Sequence, residues 1–493
     1  MFLGIDLGTS DIKVLLLDTR GKTVALERAS LTIERPAPLW SEQDPHAWWR
    51  VLDSVMQRLK VAVPDKLRQV EGIGLSGQMH GAVLLDASGA VLRPAILWND
   101  GRSVIQCQKL LDAVPDLVAI AGNIPMPGFT APKLLWVKEN EPNLFARTAR
   151  VLLPKDFLRL QMTGEAVTDC SDASGTLWMD VAKRRWSPTL LAACDMSIDQ
   201  MPRIVEGSEP GGTLTTNIAQ RWGLRPGIVV AGGGGDNAAS AIGVGALEPG
   251  QGFVSLGTSG VIFAVTAGLV TNTARATHAF CHALPKRWHE MSVMLSAASC
   301  LKWVSRLTAV RNEDVLAESA AQLNSKARME APIFLPYLSG ERTPHNNAEA
   351  KGVLFGLTHE HDAAAVAYSV LEGVSFGMRD GLLALQISKS PATLELVGGG
   401  SKSNAWAQLL ATVLDVRLRV TTGNEAAAAL GAARLGWCAA GGDPHEVAST
   451  AEGPSVTYLP DPDAWDLLRS RYRRFGELYT AVNPAFNDRE VPI

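Results

Sequence analysis

Apolar residues fall along this chain in short runs punctuated by polar turns. In the first third, FLGIDLG, DIKVLLLD and TVALERASL are bounded by Gly8-Thr9-Ser10 and by a turn at Thr19–Lys22, which predicts three strands joined by tight turns. A helix is expected over 44–63, followed by strands at GIGLSG, AVLLD and VLRPAILW with a turn at Ala87–Gly89. This order suits a mixed α and β layer. The stretch GIVVAGGGGDNAASAIGVGAL, residues 227–247, reads as strand, glycine loop and helix. After the break EPGQG, FVSLGTSGVIFAV restarts the strand-turn-strand pattern. Strands at HAFCHAL, RWHEMSVML and LELVGGG then alternate with alanine-rich helices at AAAVAYSVLEGVSFGMRDGLLAL and NEAAAALGAARLGWCAA. The break places a domain boundary near 246–250, giving domains 1–246 and 247–493.

The tetrapeptide LGTS occurs at Leu7–Ser10 and again at Leu256–Ser259, each time inside an apolar run. Such a tip can be a plain hairpin. It can equally hold an anion, since backbone amides and hydroxyls converge on the turn. The recurrence at a domain-scale spacing suggests two similar halves facing each other across a cleft.

Composition narrows the class. The 493 residues are 46% hydrophobic and 19% charged with a formal net charge of −4, as in an ordinary globular protein. No Lys/Arg run is present to track a nucleic-acid backbone, so no nucleic-acid partner is expected. Six cysteines without a C-x-x-C pair fit a reducing cytoplasm better than a disulfide scaffold. The start of the chain carries Asp6, Asp11 and Lys13 where a signal peptide needs an apolar stretch. The longest uncharged stretch, 249–274, is interrupted by Gly257–Gly260 between β-rich flanks, so a buried hairpin is expected there and no membrane partner.

Several motifs can be tested against their chemistry. GIGLSG satisfies G-x-G-x-x-G, but QMHGAVLLDASG continues into strand and turn where a dinucleotide site needs a helix. Gly21-Lys22-Thr23 ends like a P-loop, but Leu16 stands where its first glycine belongs. In GGGGDNAAS, Asp236 is expected exposed at a strand end before a helix, either as a functional carboxylate or as a helix N-cap. HAFCH places His278, Phe280 and His282 on one strand face, read as core or ordinary surface histidines ahead of a metal site, which lacks an evident fourth ligand. His80 lies on the glycine-bounded turn QMHG.

Together, GIDLGTSDIK, LSGQMHG, ILWNDGR, GFTAPKLLWVKEN, LLPKDFLRLQMTGE, AGGGGDNAA, VSLGTSG, PYLSGERTPHNN, KGVLFGLTHEH and LVGGGSKSN resemble, in order, the FGGY family of carbohydrate kinases. Gly128–Asn140 fits the family's first signature and Gly352–Glu372 most of its second. Two departures stand out: Ala365, where a polar residue is usual and a helix-surface change is expected, and Asp11, an extra negative charge after the first LGTS. The resemblance implies an α/β fold of two ribonuclease H-like domains, of the actin and hexokinase ATPase type, around a central cleft.

It also implies ATP-dependent phosphorylation of a small-molecule sugar with Mg²⁺. Asp236 would be the general base, and Asp6 the partner of Mg²⁺ through water. Thr9 and Ser10 on one tip and Gly257 and Thr258 on the other would approach the triphosphate, while Gly400 and Asn404 would hold the nucleotide's sugar and base. Met79 and His80 match positions that contact a ketopentose, with Asp236 and Asn237 closing on the reacting end. This favours D-xylulose over ribulose, gluconate or glycerol. Asn99 and Asp100 are further contacts or loop braces. A homodimer is compatible with this reading. A non-catalytic sugar-responsive protein or an actin-like assembly ATPase would lack use for the Asp6/Asp236 pair or for QMHG and WNDGR respectively.

Overall fold

A computed structural model of the chain describes residues 1–310, 312–387, 392–449 and 453–487. Its first large sheet begins with an antiparallel meander of Phe2–Leu7, Asp11–Leu17 and Thr23–Ser30. Gly72–Gly77 pairs in parallel with the other side of Phe2–Leu7, Val229–Ala231 pairs in parallel with Gly72–Gly77, and Pro210–Thr213 closes the edge antiparallel. The second large sheet repeats that order. Gly252–Leu256, Gly260–Thr266 and Trp288–Met294 form the meander, with Thr393–Val397 and Arg417–Thr421 parallel on the far side and Ser455–Tyr458 antiparallel at the edge. His278–Cys281 adds one strand beyond the second meander. The LGTS recurrence therefore marks two sheets of one topology, the ribonuclease H-like duplication.

Burial explains the sequence pattern. Phe2–Leu7 and Gly72–Gly77 are buried at every position, so they read as continuous small and aliphatic runs instead of alternating ones. Both LGTS stretches are hairpin tips. The last paired residues are Leu7 with Ile12 and Leu256 with Gly260, and the turns close through Gly8 N–H to Asp11 O at 3.0 Å and Gly257 N–H to Ser259 O at 3.1 Å. The uncharged 249–274 stretch is thus a hairpin of the second sheet, and no described helix is long and apolar enough to cross a membrane.

The glycines of GIGLSG serve packing. Helix Ala427–Ala439, from the second half of the chain, lies on the first sheet so closely that a Cβ on Gly74 would sit 1.8 Å from Ala432 O, and one on Gly72 2.1 Å from Gly436 O. The same helix meets helix Asp236–Val244 backbone to backbone, where a Cβ on Gly431 would lie 1.7 Å from Ala239 O. Its alanine-rich composition is the condition for that approach.

Three expectations need correction. AVLLD and VLRPAILW contribute only Val83–Leu85 and Ala95–Ile96, paired with Arg150–Leu152 and Glu42–Gln43 outside the large sheets. Between them lie the Asp86–Ala90 turn, whose carboxylate takes the amides of Ser88 and Ala90, and Pro94, which cannot donate to a ladder. HAFCHAL is a strand only to Cys281. Ala365 is buried, in the first turn of helix Ala363–Ala384, where its N–H is capped by Asp362 at 2.9 Å; a larger polar side chain there would face the core instead of solvent.

Candidate active site

Strand register assembles the acidic centre. Asp6 lies opposite Ser76, and Ser76 opposite Gly234, so the ends of three adjacent strands carry Asp6, Ser76 and the glycines leading to Asp236. Asp6 Oδ1 accepts from Ser76 Oγ at 3.0 Å, and its Oδ2 lies 3.8 Å from Lys13 Nζ. Asp236 is the first residue of helix Asp236–Val244, and Gly235 holds the N-cap position. Asp236 is half-buried, not exposed as its strand-end position suggested, because the glycine strand sinks it beside Asp6. Its Oδ1 accepts from the Asn237 backbone N–H at 2.7 Å and the Asn237 amide at 2.9 Å. Burial pushes the Asp236 carboxyl up to about 6, and the negative charge of Asp6 adds to that rise.

A buried ion network carries this loop. Gly235 N–H donates to Ser171 Oγ at 3.1 Å, and Asp169 accepts from Ser171 N–H at 2.8 Å. Lys155 Nζ stands 2.7, 2.8 and 2.9 Å from Asp156, Asp169 and Asp172, while Arg159 binds Asp156 at 2.6 Å and the carbonyl of Gly232. All five side chains are fully buried. Burial pushes Asp172 up to about 8 against the pull of Lys155. Nothing in the spacing of these residues marks them; only the fold brings them under Gly232–Gly235.

The residues expected to hold the sugar, Met79 and His80, lie on the turn after Gly72–Gly77. A Cβ on Gly235 would lie 2.7 Å from Met79 Sδ, so Met79 packs directly against the residue preceding Asp236. His80 has left-handed backbone (φ 69°), held by Lys133 Nζ at 2.8 Å and Thr130 Oγ1 at 3.1 Å, both donating to the His80 carbonyl. Those two donors belong to helix Thr130–Asn140, the first family signature, and this support escaped the sequence reading. His80 Nδ1 faces Gly175 O at 2.7 Å, and a carbonyl only accepts, so Nδ1 carries the proton and Nε2 is an acceptor. Burial pushes the imidazole down to about 3, which keeps it neutral.

The WNDGR loop divides its residues between two tasks. Asp100 is buried with both oxygens spent, accepting from Ser41 N–H at 2.6 Å and from Arg102 at 2.7 and 2.9 Å, the geometry of a loop brace. Asn99 keeps a buried Oδ1 without a hydrogen-bond partner. Trp98, which the sequence reading passed over, donates from Nε1 to Thr9 Oγ1 at 3.0 Å.

The second hairpin and the LVGGGSKSN segment, both expected at the nucleotide, meet. A Cβ on Gly398 would lie 3.0 Å from Gly257 N, and one on Gly400 2.6 Å from the Leu256 side chain, bringing Gly257, Thr258 and Gly400 into one neighbourhood. Thr258 O accepts from Ala297 N–H at 2.9 Å. Asn404 opens helix Asn404–Leu414 and accepts from Tyr458 OH at 2.6 Å. At the first tip Ser10 is exposed, and the extra charge of Asp11 is answered by Lys13 at 2.9 Å.

Metal chemistry is limited by the donors. Among the described residues no group of three or more His, Cys, Asp or Glu is arranged to hold an ion. The hard oxygens of Asp6 and Asp236 suit Mg²⁺ that keeps its waters and is shared with phosphates. The histidines of HAFCH are core residues with protein partners: His278 meets Asn123, and His282 Nε2 donates to Ala246 O at 3.2 Å.

Comparison with known proteins agrees with this arrangement. Residues 1–243 match the N-terminal domain, and 252–440 the C-terminal domain, of the FGGY family of carbohydrate kinases. The chain is 50% identical over 486 residues to a xylulose kinase of Escherichia coli (strain K12), covering 98% of this chain and 99% of that one. It is 53% identical over 437 residues to a xylulose kinase of Klebsiella pneumoniae, covering 88% and 89%. A crystal structure described as a xyloylose kinase from Brucella ovis superposes with a TM-score of 0.93 at 47% identity, covering 98% of this chain and 99% of that one. With the duplicated sheet, the paired aspartates and both domain matches in hand, the chain belongs to the FGGY family of carbohydrate kinases.

Proposed function

We propose that this ATP-dependent sugar kinase phosphorylates D-xylulose at its terminal hydroxyl, giving D-xylulose 5-phosphate and ADP. The acceptor is supported by the identity to proteins named xylulose kinase over nearly the whole chain and by Met79 packed beside the Asp236 loop. The observation that carries the chemistry is the Asp236 carboxylate: half-buried, fixed through one oxygen by Asn237, and raised to about 6. At neutral pH it is mostly ionised yet basic enough to take the proton of the attacking hydroxyl, the balance a general base needs. Both Asn237 donors go to Oδ1, which leaves the second carboxylate oxygen without a hydrogen bond among the described residues. His80, neutral with Nε2 open, accepts from a sugar hydroxyl and orients the acceptor.

Around the phosphates, Thr9, Ser10 and the amides of the first tip would approach from one side and Gly257 and Thr258 of the second from the other, with Gly400 and Asn404 on the nucleoside. Mg²⁺ beside Asp6 would neutralise charge on the phosphates being separated. Closure of the two domains, divided at 246/247, would exclude water and limit futile hydrolysis. A cytoplasmic location fits ATP use and six free thiols. Measuring ADP release with D-xylulose, D-ribulose, L-ribulose, gluconate and glycerol tests the acceptor: D-xylulose should give the highest kcat/KM, and a clear preference for another polyol would replace it while leaving the kinase assignment standing.

A further inference from the structure

Arg342 belongs to the second half of the chain yet reaches the His80 side of the acceptor region. Its Nη1 lies 3.1 Å from His278 Nε2, and His278 Nδ1 lies 3.1 Å from Asn123 Oδ1. The Asn123 amide nitrogen donates to Ala121 O at 3.1 Å and Ala279 O at 2.7 Å, which turns its oxygen toward the imidazole. A guanidinium only donates, so His278 Nε2 accepts and Nδ1 carries the proton. The hydrogen-bond chain therefore has one direction, and buried carbonyls at its far end set the orientation of the Arg342 side chain. Burial and the nearby cation keep His278 neutral, as this requires.

No salt bridge to the Arg342 guanidinium forms among the described residues, and Glu341 acts on it only at longer range. Its neighbour Glu341 spends Oε1 on the backbone N–H groups of Leu295 at 2.9 Å and of Arg342 at 2.7 Å, so that carboxyl oxygen is turned to the backbone instead of the guanidinium. Nε and Nη2 of Arg342 make no protein hydrogen bond among the described residues, and neither is a sealed-off buried atom. His80 and His278 both pack on Phe129, with ring centroids 4.6 and 5.6 Å away, so His80 and the Arg342–His278 pair flank one phenyl ring. The cation acts electrostatically on both imidazoles. A half-buried guanidinium without a salt bridge is a ready donor to the acceptor oxygens of a ligand.

We propose that Arg342 is an acceptor-specificity residue, its free guanidinium edge donating to the sugar oxygens remote from the reacting hydroxyl, the carbonyl and adjacent hydroxyl of a ketose. This rests on the reading of Met79 and His80 as the sugar site. It makes the acceptor pocket a joint product of both halves of the chain: His80 accepts from the sugar and Arg342 donates to it. A polyol without the carbonyl presents a poorer acceptor to the guanidinium.

Arg342→Met and Arg342→Lys test this by steady-state kinetics with the acceptor that the wild-type enzyme uses best, alongside ADP binding by calorimetry. Loss of charge-assisted hydrogen bonds should raise the sugar KM of Arg342→Met by about 10-fold to 100-fold. kcat should stay within a few-fold, ADP affinity should be unchanged, and Arg342→Lys should fall between the variant and wild type. An unchanged sugar KM in a variant that binds ADP normally overturns the proposal. If the methionine variant does not fold, Arg342→Lys decides alone: a several-fold rise in KM supports the role, and a wild-type KM overturns it. Failure of the D-xylulose assignment shows in the wild-type acceptor preference, so the two outcomes are read separately.

Discussion

The indole N–H of Trp98 donates to the hydroxyl of Thr9 at 3.0 Å, and that hydroxyl donates on to Gln78 Oε1 at 3.1 Å. Gln43 extends the network, taking Gln78 Nε2 at 3.0 Å and returning its own amide to Thr9 O at 2.8 Å. The hydroxyl of Thr9 is thereby tied to Trp98 and Gln78, while Ser10 beside it stays exposed. Thr9→Val and Trp98→Phe should each raise the sugar KM by about 3-fold to 10-fold, and the double variant should cost less than the product of the two. Kinetics at saturating ATP measure this. Fully multiplicative effects would mean that the two side chains act independently.

Asp236 should also leave a signature in stability. Its folded value of about 6 lies above the ordinary 3.8, so ionisation disfavours the folded state. The stabilising contribution of the protonated form is complete below pH 3.8 and is lost as pH rises through 6. Asp236→Asn, which never ionises, should therefore melt higher than wild type at pH 7.5, with the gap shrinking toward pH 4. Thermal scans at several pH values check it; a variant less stable than wild type at pH 7.5 would contradict the sign.

Removing Lys155 tests the support beneath the glycine loop. Lys155→Met leaves Asp156, Asp169 and Asp172 buried with only Arg159 to answer them, and should cost about 3–5 kcal/mol. Adding Asp172→Asn should recover part of that loss, because it withdraws one of the unmatched carboxyls. Urea unfolding of the single and double variants measures both effects.

The contact between helices Asp236–Val244 and Ala427–Ala439 admits no added methyl. Gly431→Ala places Cβ 1.7 Å from Ala239 O, so the helices must separate, at a cost of about 1–3 kcal/mol or more. Because Asp236 starts the first of these helices, kcat should fall together with the melting temperature. A variant of wild-type stability would show that the interface can relax.

Legibility in the sequence followed locality. The two hairpins and Asp236 were readable because aliphatic runs and glycine breaks announce them within a few residues, the repeated LGTS anticipated two sheets of one order, and a role for Asp6 came only with the family resemblance. Gly72 and Gly74 were misleading at the same scale: they satisfy a nucleotide fingerprint but accommodate a helix from the far end of the chain. Asp100 and Asn99 are adjacent and chemically alike, yet burial gives one a full set of partners and leaves the other with an unpaired oxygen. The Lys155 network and the Arg342–His278–Asn123 chain have no local pattern at all. The first gathers residues of one short segment, 155–172, beneath the glycine loop, and the second joins residues far apart in sequence that only the packing of the two halves makes neighbours.

The most direct test of the account is phosphoryl transfer by Asp236→Ala under single-turnover conditions, with nucleotide binding measured on the same preparation. Loss of the general base should slow transfer by about 100-fold to 10,000-fold while ADP binds as in wild type. Transfer within a few-fold of wild type, with nucleotide binding intact, would contradict the role of Asp236 and with it the mechanism built on the acidic centre.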